Sequence, residues 1–146
     1  MGLFRFASLF LLLLLAACSD QRATFEIEGG AHSLSLIRIT NTPWATRAEY
    51  AVVASRAPDC TRRHAMPDAG LNTRIEVFSP GNDAWILRLG SRMYVVETRT
   101  CEGFARLDAV PGNGLGTLMG TFLMRDGTLV FVPAPKTEAP AAPAAQ

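Results

Sequence analysis

Turn-forming residues recur at short intervals along this chain, and the stretches between them alternate apolar with polar side chains. "TFEIE" runs into Gly29-Gly30 and then "HSLSLIRIT". "IEVF", "SPGND", "AWILRL", Gly90-Ser91 and "RMYVVETRTC" follow in meander order, and "GTLMGTFLM", Asp126-Gly127 and "TLVFV" close the series. Gly, Asn and Asp tolerate the positive φ angles of tight hairpin turns, and a period of two buries one face of a strand. Asp126-Gly127 is the strongest short turn signal. The fold expected is mainly β: a small antiparallel β-sandwich or barrel with about seven short strands.

Several places depart from that rhythm. The alternation changes phase between Leu36 and Ile37, which implies a bulge or burial on both faces. Over Thr42 to Arg56, Thr42 would cap a short helix with Pro43 at its first position, placing Trp44, Ala48, Ala51 and Ser55 on one face. Against this, Tyr50, Val52 and Ala54 alternate, so Glu49 to Ser55 is read as strand, with a short helix near 43–55 as the alternative. Trp85 stands in phase with Leu87 and Leu89, as a buried face requires. "PGNGLGTLMG" is glycine-rich but lacks the Gly-Lys-Ser/Thr end of a phosphate loop. It reads as a turn leading into a tightly packed strand, with Gly116 and Gly120 marking close backbone approach or a bulge.

The N-terminus follows a different plan. Arg5 supplies a positive charge, Leu9 to Leu15 an unbroken apolar run, and Ala16-Ala17 small residues before Cys18. This is the three-part layout of a secretory signal, and the run is too short to span a bilayer, which takes roughly 20 apolar residues. "LAAC" resembles the lipobox of bacterial lipoproteins. That resemblance implies that residues 1–17 are a lipoprotein signal peptide and are removed, that the Cys18 thiol receives a diacylglyceryl group, and that the new amino terminus is acylated. One acyl chain binds a membrane marginally, at about 0.8 kcal/mol per buried methylene, whereas three would hold permanently. The enterobacterial sorting rule retains proteins with Asp directly after the Cys in the inner membrane. Here Ser19 takes that place and Asp20 follows, which points to the periplasmic face of the outer membrane.

With Cys18 consumed by lipid, Cys60 and Cys101 remain as a pair in an oxidising compartment, where a disulfide is expected. A metal site is the competing reading, since Cys60-x3-His64 has ligand-like spacing, but His32 and His64 are the only histidines and zinc takes three or four ligands. Residues 18–23 read as the lipidated N-terminus and a short linker, 24–132 as a single β domain, and 133–146 as a Pro/Ala-rich disordered tail. Net charge is +1 with 18% charged residues, so no nucleic-acid partner is expected.

Candidate site residues are few. Arg62, Arg63 and His64 follow Cys60, while Glu97, Arg99 and Glu102 surround Cys101, so the disulfide would join two polar clusters. Trp44 beside Pro43 is a candidate surface anchor. Arg forks onto carboxylates or phosphates, and Arg62, Arg63, His64, Glu97, Glu102 and Trp44 form the candidate interaction patch. No nucleophile, base and orienter stand in a recognised pattern, no cofactor is implied, and His64 with a nearby carboxylate is the one acid/base pairing. The plan resembles that of small envelope lipoproteins such as the C-type lysozyme inhibitors, short β-barrels behind a lipobox, although none of their site residues carries over. The expected function is a lipid-anchored envelope lipoprotein that binds a partner protein, as an accessory or inhibitor-like module facing the periplasm. The alternatives are a β-barrel that carries a small ligand and an envelope hydrolase.

Overall fold

The computed structural model describes residues 19–135. The leader 1–17, Cys18 and the tail from 136 to 146 lie outside the described residues. Ten strands form two antiparallel sheets. Sheet A is a meander of β1 (Ser19–Glu26), β2 (His32–Thr40), β3 (Arg47–Arg56) and β4 (Cys60–Gly70). Sheet B contains β5 (Ile75–Gly81), β6 (Ala84–Leu89), β7 (Arg92–Glu97), β8 (Phe104–Leu107), β9 (Thr117–Arg125) and β10 (Thr128–Pro133), in the order β10-β9-β5-β6-β7-β8. The sheets form a small sandwich and do not close into a barrel.

Period-two patterning builds the core. Leu34 and Leu36 from β2, Tyr50, Val52 and Ala54 from β3, Ile75 and Val77 from β5, Trp85, Leu87 and Leu89 from β6, and Phe122 from β9 share one buried cluster. Each such large apolar side chain contributes about 1.5–3 kcal/mol on burial. The other face of sheet B carries a second cluster, Phe78, Ile86 and Met93, on which Leu107 and Leu115 pack. The segment between β8 and β9 thus covers part of that face.

The turns follow their chemistry. Asp126 and Gly127 adopt φ of 51° and 77°, the two positive values of a type I′ hairpin. Within "SPGND" the turn narrows to Asn82-Asp83, with φ of 57° and 58°, and β5 runs on through Gly81. At Gly29-Gly30 the expected two-residue turn becomes a longer loop. The Ile27 N–H bonds to the His32 carbonyl at 2.8 Å, and of the two glycines only Gly29 has positive φ.

Three expectations need correction and two open alternatives are decided. Among the described residues there are ten strands rather than about seven, β4 and β8 being strands where the sequence shows no clear apolar alternation. Both are sheet edges, where charged residues and Pro67 are tolerated. The strand reading of Glu49 to Ser55 holds and the helix kept as its alternative near 43–55 does not form: Arg47–Arg56 is a central strand whose Ala48, Tyr50, Val52 and Ala54 face the core. Ser19 to Ala23, expected as a linker, are the first part of β1, paired residue by residue with β2. Of the two readings of the phase change in β2, burial on both faces holds, with Ser33 and Ser35 buried as well as Leu34 and Leu36, and a bulge does not, since the pairing to β1 and β3 runs without a shift. Arg38 instead takes an inward position, buried, with Nε donating to the Leu71 carbonyl at 3.1 Å. Finally, Pro133, expected as the first residue of the tail, belongs to β10, and Ala134 N–H bonds to the Met119 carbonyl.

One short connection, residues 71–74, carries the chain from sheet A to sheet B. Tyr50 Oη donates to the Gly70 carbonyl at 3.0 Å, and burial raises the pKa of that hydroxyl. Since every pairing is antiparallel, Ser19, the loop 41–46, the connection 71–74 and the turns at 90–91 and 126–127 all gather at one pole. The loops 27–31, 57–59, 82–83 and 98–103 gather at the other. We call these the N-terminal pole and the disulfide pole.

Gly116 and Gly120 mark the close approach that their spacing implies. Pairing slips between Val77 and Phe78 opposite Gly120 and Leu118, leaving Met119 as the bulged residue. A Cβ on Gly116, at φ +84°, would meet the Ser79 carbonyl oxygen. Gly112 has nothing within 4 Å and no positive φ. Gly116→Ala is therefore expected to destabilise by more than about 1 kcal/mol, seen as a lower urea midpoint, while Gly112→Ala leaves the midpoint unchanged.

Candidate functional site

The sandwich has two side seams, and the disulfide pole lies at the end of one of them. Cys60 opens edge strand β4 and Cys101 lies in the loop before edge strand β8; their sulfurs are bonded, with Cα atoms 5.9 Å apart at a sequence separation of 41. On the chain-entropy model such a link contributes about 4 kcal/mol. Cys101 has φ of 61°, a left-handed backbone unusual for a residue with a Cβ. It is also buried.

Around this link the two expected polar clusters meet. Arg62, on the inward row of β4, places Nη1 2.6 Å from Glu102 Oε1. Both side chains are more than half exposed, so the pair adds only about 0–1 kcal/mol. His64 is 9% exposed. Its Nε2 donates to the Cys101 carbonyl at 2.8 Å, and its ring stacks on Phe104, which stacks in turn on Tyr94.

Glu97 shapes the loop itself. Its carboxylate accepts the backbone N–H groups of Arg99 and Thr100 and the Thr100 hydroxyl. Burial raises the pKa of this carboxyl, but the bonds from Thr100 and Arg99, with the Arg99 charge, outweigh it and hold the value below the ordinary carboxylate range.

The remaining two candidates lie elsewhere. Arg63 is exposed on the outward row of β4. Trp44 is in the loop 41–46, at the opposite pole. Four residues of the expected patch are thus brought together, and two of those four, His64 and Glu97, are spent on holding the loop. Of these clusters Arg62, Glu102, Arg63 and Arg99 carry the exposed charges, Arg99 Nε lying 3.4 Å from Asp83 Oδ2.

Sequence reasoning missed an adjoining network that joins the sheets. Arg56 from β3 donates through Nη2 to Asp83 Oδ1 at 2.6 Å and through Nε to the Thr98 carbonyl at 3.0 Å. The same Nη2 lies 3.3 Å from His32 Nε2. A guanidinium only donates, so Nε2 is the accepting nitrogen. The Thr98 hydroxyl, which accepts the Trp85 indole N–H at 3.0 Å, shares its one proton between that nitrogen at 2.8 Å and the Asp83 carbonyl at 3.2 Å. The ring proton then sits on Nδ1, which is buried without a hydrogen-bond partner and faces Glu28 Oε2 at 3.7 Å. The signal was present in the sequence: His32 stands in phase with Leu34 and Leu36, so an apolar strand carries a polar group on its inward row.

The opposite seam is closed differently. Gln21 of β1 donates to the Gly127 carbonyl at 3.0 Å and accepts the Leu129 N–H at 2.8 Å. No backbone ladder joins β1 to β10, and further along the seam the space opens into a cleft of about 960 Å³ bordered by Thr24, Phe25, Leu118, Met119, Phe131 and Pro135. Phe25 stacks on Phe131 at 4.7 Å. Among the described residues, no three His, Cys, Asp or Glu side chains stand together as metal ligands.

Compared with known proteins, the chain matches no family description, no curated protein and no solved structure.

A carboxyl whose pKa is lower folded than unfolded stabilises fully above its unfolded pKa, about 4.3 for Glu, and that contribution is lost as pH falls through the folded value. Glu97→Gln should therefore lower the urea midpoint at pH 7 and flatten its decline below pH ~4 relative to the parent protein. Parallel pH profiles for the two proteins would show that Glu97 contributes nothing through its charge.

Proposed function

We propose that this chain is a lipid-anchored envelope lipoprotein that acts by binding, as an accessory or inhibitor-like module facing the periplasm from the outer membrane. The observation that carries the reading is the polarity of the fold. Ser19, which follows the lipobox cysteine directly, is already paired in β1, so an anchor on Cys18 would hold one pole against the membrane. The exposed charges Arg62, Arg63, Arg99 and Glu102 lie toward the other pole. At about 3.3 Å per residue, strands of eight to eleven residues carry that face roughly 30 Å outward.

Two further features favour binding over catalysis. His64, the acid/base candidate, commits Nε2 to a backbone carbonyl, and Arg62 and Glu102 beside it are exposed side chains paired with each other. Labelling with a palmitate analogue tests the anchor: Cys18→Ala should lose the label completely, and label retained on that variant would refute the assignment.

The cleft supports a second reading, a site for a small apolar ligand. As the sheets do not close into a barrel, this alternative rests on the space beside Phe25, Leu118 and Phe131 instead of a barrel lumen. Leu118 is exposed at 39% on the cleft's border. An environment-sensitive naphthalene dye should brighten on binding, and Leu118→Arg should abolish that signal while palmitate labelling persists. No brightening with the parent protein would remove this reading.

A further inference from the structure

We propose that the loop 41–46, with Trp44, docks the N-terminal pole onto a phospholipid surface at headgroup depth, giving the body a second membrane contact beside its lipid. The inference rests on the reading of Cys18 as the anchor.

Trp44 is 80% exposed, and Trp44, Val110 and Leu118 are the large exposed hydrophobics among the described residues. The molecule's other tryptophan, Trp85, is buried with its indole N–H bonded to Thr98, which is how a soluble domain ordinarily disposes of the residue. The loop that presents Trp44 is tightened by Ala45 N–H bonding to the Thr42 carbonyl at 3.2 Å and is flanked by exposed Pro43. A large apolar ring is thus held outward on a short turn. An indole, with an apolar body and one N–H, favours the boundary between hydrocarbon and water.

Position supplies the second observation. Thr40, the last residue of β2, pairs with Ser19, and its Oγ1 donates to the Ser19 carbonyl at 3.4 Å. Cys18 is one residue beyond Ser19 and the loop one residue beyond Thr40. With consecutive Cα atoms 3.8 Å apart and paired strands about 4.8 Å apart, covalent geometry keeps Cys18 within about 12 Å of Asn41, where the loop that carries Trp44 begins. A lipid at Cys18 therefore brings Trp44 to the headgroups.

Charge supplies the third. Arg47, Arg74, Arg92 and Arg125 flank the loop, the connection and the turns of this pole, and the acids Asp20, Glu49, Asp108 and Asp126 lie at the same pole, Glu49 accepting from Asn41 at 2.8 Å and Asp108 facing Arg106 at 3.9 Å. Guanidinium groups fork onto phosphate, and the acids suit the amine of a zwitterionic headgroup. The surface that fits is phosphatidylethanolamine with some phosphatidylglycerol.

The consequence is orientation. A flexible acyl anchor alone leaves the body free to tilt, whereas two contacts at one pole direct the disulfide pole away from the bilayer.

The processed full-length protein, reconstituted into phosphatidylethanolamine/phosphatidylglycerol vesicles with brominated acyl chains, tests the docking. Bromine should quench part of the tryptophan emission. Trp44→Ala should lose that quenching while the unquenched emission of Trp85 reports an intact fold. Emission indifferent to bromine in a protein that still takes the palmitate label overturns the docking and leaves lipidation standing. Missing label with Trp44-dependent quenching retained overturns lipidation and upholds the contact. A photocrosslinker at position 44 should give lipid adducts, and a single protein adduct in their place would overturn the proposal in favour of a protein partner.

Discussion

A two-sheet sandwich that does not close leaves a seam along each side, and the closure of those seams is the constraint on which the rest of this molecule depends. One seam is stapled covalently by Cys60–Cys101, supported by His64 on the Cys101 carbonyl. The other is held by the two hydrogen bonds of the Gln21 amide, which act in place of a backbone ladder between β1 and β10. Within so small a domain the core alone leaves little margin, and the staple restricts the unfolded chain as well as the folded one. The stronger closure lies beside the loops that carry exposed charge, and the weaker one lies beside the cleft.

Much of the fold was legible because strand and turn chemistry are local. Asp126-Gly127, Gly90-Ser91 and the Trp85-Leu87-Leu89 row each announce their structure within a few residues. What escaped is set by tertiary position. β4 shows no clear apolar alternation because this edge strand buries only His64, Met66 and Ala69, leaving Arg62, Arg63 and Asp68 exposed and Pro67 tolerated at the edge. The Thr42–Arg56 segment balances helix and strand signals locally, and its central place between β2 and β4 decides for strand. Of the site, the disulfide and the meeting of its flanking charges followed from counting cysteines. That Glu97 shapes the loop while Trp44 lies at the far pole did not, since both depend on where the hairpins end in space.

The inward polar residues follow one rule. Arg38 occupies the core row near the N-terminal pole, and His32 and Arg56 lie at the opposite strand ends. At those depths a polar side chain still reaches backbone carbonyls: Arg38 that of Leu71, and Arg56 that of Thr98. Burying such groups costs several kcal/mol unless they are hydrogen-bonded, so each fixes the loop that satisfies it. The core is thereby capped at both poles by side chains that also order the connections.

This capping bears on how the disulfide pole would bind. Association costs side-chain and loop ordering of about 0.5–1.5 kcal/mol for each immobilised side chain, and a surface already held in shape avoids part of that. Here Glu97 fixes the 98–101 backbone, the disulfide fixes its end, and Arg56, Asp83 and Thr98 tie the same loop to both sheets. Arg62, Arg99 and Glu102 therefore project from an ordered frame, while their exposed ends keep the solvation that makes each internal pair weak. A partner that supplies matched charges would replace those weak pairs at little ordering cost. That combination, rigid backbone under loosely paired charge, argues for recognition at this pole more strongly than the charges do alone.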